Sequence, residues 1–116
     1  MSAYADLCSM LGIPDPDTQA AFENELLLFA NAACGVLYQL GVDKNGSVCV
    51  MTNNNTWDDL FGDQNPTVIS LCKLYIHMKV KVTWDRESMN TSGVKAFEEL
   101  IKEMEWRIRV AAEEGN

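Results

Sequence analysis

The sequence predicts a mainly α-helical protein, a small four-helix bundle with a long loop or β-hairpin arm between helices two and three. Apolar residues recur at intervals of three and four in several segments, which is typical of helices with one buried face. Asp, Asn and Pro stand where these segments begin, and Gly stands where they end. Residues 42–62 break the helical pattern over a stretch that is long for a connection within a compact domain.

The chain of 116 residues fits one domain, 1–116, and its hydrophobic content of 47% argues against disorder. The first residues lack the basic and apolar regions of a signal peptide, and no apolar stretch is long enough to cross a membrane. Four cysteines are spaced without a C-x-x-C pair: Cys8, Cys34, Cys49 and Cys72. In a reducing compartment we expect them to be small apolar core residues, with no metal and no cofactor.

The first two helices have clear boundaries. Tyr4 to Leu11 predicts one or two helical turns that end at Gly12. The second helix is predicted from Pro16 to about Leu40, because Asp15 is a good N-cap and proline suits the first helical position. Gly41 supplies the stop. Its apolar face consists of Phe22, Leu26, Phe29, Ala33, either Val36 or Leu37, and Leu40.

The arm, residues 42–62, is the least regular segment. Lys44-Asn45-Gly46 is a turn signal, and three asparagines at 53–55 break any regular element. Val48, Val50 and Thr52 alternate with Cys49 and Met51, so one strand of a small hairpin is an alternative to a loop.

Asn65 or Thr67 is predicted to cap the third helix, which has Pro66 in its first turn and runs from Thr67 to about Val82. It is apolar on nearly every side, which predicts a central position or burial by a partner as well. Residues 78–84 also alternate perfectly, so a strand is the alternative for the last turn.

The fourth helix follows a polar loop, Asp85 to Gly93, and starts near Thr91 or Ser92. It carries a heptad seam at intervals of three and four: Val94, Phe97, Ile101, Met104, Ile108 and Ala111. Acidic residues precede basic ones by four positions at Glu98–Lys102, Glu103–Arg107 and Glu105–Arg109. Each such pair stabilises an exposed helical face by about 0.2–0.5 kcal/mol.

The stretch from Asn55 to Val68 holds three aspartates, which raises the question of a metal site. A calcium loop needs oxygen ligands at alternate positions. The third position is Leu60 when the frame starts at Asp58, and Phe61 when it starts at Asp59. Neither starting position therefore gives a calcium loop. A glycosidase-type pair of carboxylates would also need a substrate cleft, which one local cluster does not provide.

A structural turn explains the same stretch better. Trp57, Leu60 and Phe61 are expected to pack against the bundle, while Asp58 and Asp59 face water or bond nearby backbone N–H groups. Negative charge at Asp63 is favourable before a helix start. Contact with another chain is the remaining alternative.

No pattern indicates an enzyme. His77, the single histidine, lies among lysines without an acid to orient it, so we expect a surface or partly buried side chain. The phosphate-loop glycines and the G-x-S-x-G motif are absent from the sequence. With a net charge of −8, the chain does not offer the basic surface that binding to nucleic acid requires.

The three tryptophans, Trp57, Trp84 and Trp106, lie near element ends or on a helix edge. Trp106 is off the heptad seam. One interpretation is that Trp106 belongs to a second packing face. The other is that it anchors a neighbouring subunit together with the adjacent Arg107 and Arg109, because Trp and Arg are enriched in interface hot spots.

Three segments in order resemble the small head–tail connector, or neck adaptor, proteins of tailed bacteriophages. They are LYQLGV (Leu37–Val42), TWDDLFGDQNPTVISLCKLYIHMKVKVTWD (Thr56–Asp85) and KEMEWRIRV (Lys102–Val110). The resemblance extends from about Pro14 onwards. Its most specific motif is the Trp-Asp-Asp turn followed by a helix, a polar loop and a last helix that ends in Glu-Trp-Arg.

The resemblance implies a helical bundle with an extended arm and no catalytic residues. It implies a homo-oligomeric ring of about twelve copies below the portal protein, with a tail-side completion or stopper protein beneath it. DNA would pass through the lumen without sequence-specific binding, and no membrane is involved. The expected location is the neck of the virion, with the host cytoplasm during assembly.

The same resemblance suggests roles for parts of the chain. Residues 42–55 would reach the next subunit or the DNA channel, and the last helix would pack on the portal or a neighbour. The candidate subunit or portal contacts are Val48, Val50, Trp57, Phe61, Trp84, Trp106, Arg107 and Arg109. The alternative is a small helical interaction or regulatory module without a role in a virion.

Overall fold

The computed structural model describes residues 2–43, 46–62 and 64–114. This part of the chain is mainly α-helical, as predicted. Its α-helices are α1 (Ala3–Met10), α2 (Pro16–Ala21), α3 (Glu23–Gln39), α4 (Trp57–Phe61), α5 (Pro66–Trp84) and α6 (Thr91–Glu114), with a 3₁₀ turn at Arg86–Ser88 before α6. Lys44 and Asn45 of the predicted turn, and Asp63, lie outside the described residues.

The predicted second helix is divided into α2 and α3, which corrects the continuous helix from Pro16 to Leu40. The break is at Phe22, whose φ of −103° and ψ of 8° leave the helical range. The Phe22 ring packs edge-to-face on Trp84, with 4.6 Å between ring centroids. The predicted N-cap is confirmed, because the Asp15 carboxylate accepts a hydrogen bond from the Thr18 backbone N–H at 3.1 Å.

Helix α5 lies between α3 and α6 and packs on both. Its start is as predicted, with Asn65 accepting from the Thr67 N–H at 2.7 Å. The helix continues through Trp84, so the strand alternative for residues 78–84 is wrong. Burial on several sides explains the apolar sequence; the buried residues are Val68, Cys72, Tyr75, Ile76, Met78, Val80 and Val82.

The heptad seam of α6 is confirmed at Ile101, Met104 and Ile108, and its last buried position is Ala112 rather than Ala111. A straight helix has 3.6 residues per turn, so a strict seven-residue seam drifts around it. Of the three predicted pairs, Glu103–Arg107 forms, at 3.0 Å.

The other two acids of these pairs have partners outside α6. Glu98 pairs with Arg86 at 2.8 Å, and Glu105 accepts a hydrogen bond from the Tyr75 hydroxyl at 2.7 Å. Tertiary partners have therefore replaced the local ones.

The arm contains α4 and, in its described residues, no strand, so the hairpin alternative is wrong. The alternation is nevertheless real. Cys49 and Met51 point inward and are buried, whereas Val48 and Val50 are exposed. Within one chain the arm lies against the helices instead of extending away from them.

The molecule is flat, with principal extents of 39 × 34 × 18 Å. This shape follows from the order α3, α5, α6, because the outer two helices make few contacts with each other. They approach where Gly41 meets α6: a Cβ on Gly41 would lie 3.5 Å from that of Ala112. Gly41 has a φ of +104°, which is the left-handed conformation that ends α3. No helix in the described ranges has the length and hydropathy to span a membrane.

Candidate assembly surfaces

The Trp-Asp-Asp turn is a capped helix start. The Thr56 hydroxyl accepts from the Asp59 N–H at 3.1 Å, and the Asp59 carboxylate accepts from the Thr56 N–H at 2.9 Å, which together form a capping box. Asp58 faces solvent, and Leu60 and Phe61 are each 1% exposed. The structural reading of this stretch is therefore correct for its described residues.

Trp57 joins three helices. Its Nε1 donates to the Asp6 carboxylate of α1 at 2.8 Å, and its ring stacks on Phe61 with 6.3 Å between centroids. The Lys73 ammonium of α5 lies 5.5 Å from the indole centroid and 3.8 Å from the same Asp6 carboxylate. Trp57 thus has its polar and aromatic contacts within the monomer.

The arm is held on the side of α3. The Asn31 side chain accepts from the Met51 N–H at 2.7 Å and donates to the Met51 carbonyl at 3.1 Å. One amide side chain therefore pairs both backbone groups of a residue that is 2% exposed. This arrangement explains why a segment with strand-like alternation forms no strand: its partner is a helix side chain.

The asparagine-rich end of the arm is an ordered turn. Asn55 accepts from the Thr52 N–H at 3.0 Å and donates to the Val50 carbonyl at 2.9 Å. Its own carbonyl accepts from the Ala3 N–H at 2.9 Å, which fixes the turn to the start of α1. Asparagine suits this position because its side chain bonds nearby backbone groups.

The buried cysteines form part of the core. A hydrogen bond between the Cys34 and Cys49 thiols, together with burial, raises the pKa of Cys34 above its ordinary range. Burial raises the pKa of Cys72 to about 12. Thiols with raised pKa values stay protonated at neutral pH and react slowly. Within residues 2–43, 46–62 and 64–114, no group of His, Cys, Asp and Glu is arranged to hold a metal ion.

A surface groove of about 450 Å³ lies at the start of α6. The residues that line it are Arg86, Met89, Thr91, Val94, Lys95 and Glu98. Its two best-placed charges, Arg86 and Glu98, already pair with each other at 2.8 Å. The groove therefore offers a binding surface and no nucleophile–base pair.

The predicted contact residues differ in exposure. Val48, Val50 and Trp106 are 41%, 59% and 66% exposed, so a second packing face within the monomer is the wrong interpretation of Trp106. Arg107 and Arg109 are also exposed. Trp57 is partly buried, and the burial of Phe61 leaves no side-chain surface for a partner.

Trp84, another predicted contact, is partly buried against Phe22. A role for any of these residues in assembly remains a prediction.

Sequence reasoning missed the outer face of α3. Residues 26–42 contain no charged side chain, yet Leu28 is 67% and Tyr38 45% exposed, and Ala32 is exposed between them. Solvent-facing helix surfaces are normally rich in charge. The signal was present in the sequence as seventeen consecutive uncharged residues.

The net charge of −8 is unevenly distributed along the chain. Residues 1–63 contain nine acidic residues and one basic residue, whereas residues 64–116 contain eight of each. The first half, with α1 to α4, therefore carries the whole excess of negative charge.

Comparison with known proteins identifies the family. The family model described as "Phage connector protein" matches residues 5–115, nearly the whole chain. No curated protein and no solved structure gives a significant match. The matched range includes the Trp-Asp-Asp turn, the arm, α5 and α6. The chain belongs to the phage connector protein family.

Proposed function

We propose that this protein forms a ring below the portal of a tailed bacteriophage, where it joins the head to the tail and continues the DNA channel. Membership of the phage connector family supports a structural role in the virion. The ring, the portal above it and a tail-side stopper protein below it form the finer part of the proposal. The resemblance to neck adaptor proteins implies a copy number of about twelve for this ring.

The observation that carries the proposal is the excess of apolar surface at the two outer helices. Leu28 on α3 and Trp106 on α6 are each about two-thirds exposed, although the core of this small chain is already filled by other residues. The outer face of α3 around Leu28 lacks the charge of an ordinary solvent-facing helix surface, and tryptophan is enriched in interface hot spots, so both faces favour contact with other chains. A closed ring requires two different contact faces on each subunit.

Co-sedimentation with the purified portal ring of the same phage tests this function. We expect stoichiometric binding and an added tier of density below the portal in electron micrographs. A folded protein that stays in the supernatant while the portal ring is intact would contradict the neck role. It would favour the interaction or regulatory module instead.

The acidic first half suits a DNA channel through electrostatic repulsion. We propose that acidic residues of this half line the lumen, so that DNA passes without binding. Replacing Asp17 and Asp58, which are both exposed, with lysine is then expected to slow DNA ejection from assembled particles, because lysines bind phosphates. An unchanged ejection rate would argue against an acidic lumen.

A further inference from the structure

The outer face of α3 carries a regular stripe, here called the α3 stripe: Glu25, Leu28, Ala32, Gly35 and Gln39. Their intervals of 3, 4, 3 and 4 place them along one line of the helix. Four are exposed and Gly35 is partly exposed. Leu28 projects from the stripe, whereas Ala32 and Gly35 leave a shallow gap beyond it, because neither has a side chain longer than a methyl group.

Helix α6 carries a second stripe on the side opposite its seam, here called the α6 stripe: Lys95, Glu99, Lys102, Trp106, Arg109 and Glu113. Its intervals are 4, 3, 4, 3 and 4, and all six residues are exposed. Trp106 is its largest side chain. In the described part of the chain, none of the three bases forms an ion pair.

The two stripes lie on different edges of the molecule. Helix α5 separates α3 from α6, and both stripes point away from the residues that pack on α5. A contact between the two stripes therefore requires two copies of the chain. Such a contact is heterologous, and its repetition about an axis closes into a ring.

We propose that the α6 stripe of one copy packs along the α3 stripe of the next, with Trp106 over the gap at Ala32 and Gly35. This pairing rests on the proposed ring and assigns its subunit interface. At 1.5 Å per residue the stripes are about 21 and 27 Å long, so the α3 stripe can contact the α6 stripe over its full length. Spacing by threes and fours on both helices suits packing at a crossing angle of about 20°.

Charge complementarity selects a second copy as the occupant. Among the residues that the structure describes, the three bases of the α6 stripe form no ion pair. In the sequence, Glu25 and Asp43 of the acidic half stand just beyond the two ends of the uncharged segment. Packing of the stripes brings these unpaired bases next to the acidic edge of the neighbour. The uncharged segment between the acids then faces the indole and the aliphatic stems of the lysines.

Cross-linking between engineered cysteines tests the pairing directly. The double variant Ala32→Cys, Arg109→Cys places one thiol on each stripe, and the native cysteines are at most 5% exposed, so a short bis-maleimide selects the new thiols. On portal-bound protein we expect a ladder of dimers, trimers and larger species. Each single variant, and the control Asp58→Cys, Arg109→Cys, is expected to give no ladder.

A mixing experiment tests the heterologous character of the contact. Leu28→Glu disables the α3 stripe and Trp106→Glu the α6 stripe, and both positions are exposed, so circular dichroism is expected to show an unchanged fold. Each variant alone is expected to stay monomeric. Their mixture retains one intact contact and is expected to give a discrete heterodimer that does not grow. At a concentration at which the wild-type chain associates, a monomeric mixture would overturn the pairing.

The outcomes separate this inference from the proposed function. Stoichiometric binding to the portal without a cross-linked ladder would overturn the pairing and leave the neck role standing. A ladder from protein that does not bind the portal would support the pairing and contradict the neck role. Trp106→Ala, which truncates the central side chain, is expected to weaken association about thirtyfold, the effect of a hot spot of about 2 kcal/mol.

Discussion

Asn31 and Met51 are joined by two hydrogen bonds, although twenty residues separate them along the chain. The Asn31 amide accepts from the Met51 N–H at 2.7 Å and donates to its carbonyl at 3.1 Å. These two hydrogen bonds satisfy the backbone N–H and carbonyl of Met51, which a neighbouring strand would otherwise satisfy. It therefore determines where the arm lies on α3 and which of its side chains face solvent.

We expect Asn31→Ala to destabilise the protein by about 1–3 kcal/mol, because it leaves two buried backbone groups of Met51 without partners. Urea denaturation followed by circular dichroism measures the change. Asn24→Ala on the same helix is the matched control, since Asn24 is exposed and its removal leaves no buried group unpaired. Equal stability of the two variants would show that the arm is held by other contacts.

Trp57→Phe is expected to cost about 0.5–1.5 kcal/mol, since it removes the 2.8 Å hydrogen bond to Asp6 but keeps an aromatic ring to stack on Phe61. The free energy of unfolding in urea measures the loss. Trp106→Phe is the control, because Trp106 is 66% exposed and far less change is expected. If the two substitutions cost the same, the contact between α1 and α4 contributes little to stability.

Neighbouring residues of α6 provide a sharp test of the seam. Ile101→Asp buries an unpaired charge at a position that is 6% exposed, and we expect a loss of about 3–5 kcal/mol, enough to unfold a marginal domain. Leu100→Asp places the same carboxylate at a position that is 47% exposed, where we expect a near-native melting temperature. Comparable melting temperatures for both variants would mean that α6 is rotated from its described orientation.

The ends of the helices could be predicted because they depend on local contacts. Asp15 and Asn65 cap helices through backbone groups two or three residues away, and Gly41 ends α3 through its own backbone conformation. The break at Phe22 could not be predicted in this way, since its ring packs on Trp84, sixty-two positions later. The same reason separates Glu98 and Glu105 from their predicted local partners.

The candidate surfaces were only partly predictable. A position off the seam indicated that Trp106 has a separate role, and its exposure agrees with that. The burial of Phe61 depends on how the turn docks, which the sequence around it does not reveal. The outer face of α3 was missed because an apolar helix is normally interpreted as part of the core. The feature that marks this face is the absence of charged side chains and not a high hydrophobicity.

We expect His77 to make the stability of the fold depend on pH below neutral. The His77 Nε2 is buried and has no hydrogen-bond partner among the described residues, while the backbone of Met10 bonds to the ring. Burial, with the nearby Lys81 charge, lowers the pKa of His77 below its ordinary value, and the bond to Met10 opposes this only in part. Protonation would place a charged N–H where no acceptor lies.

Because the pKa is lower in the folded state than in the unfolded chain, the neutral histidine stabilises the fold above about pH 6.5, and this contribution is lost as the pH falls below that value. Urea denaturation at a series of pH values is expected to show a slope of up to about 1.4 kcal/mol per pH unit from this group. His77→Gln removes the titrating ring. Because the chain has one histidine, comparison of this variant with the wild type isolates the histidine contribution. We expect its stability to fall less steeply below pH 6.5 than that of the wild type. Identical slopes would show that carboxylates, and not His77, determine the response to acid.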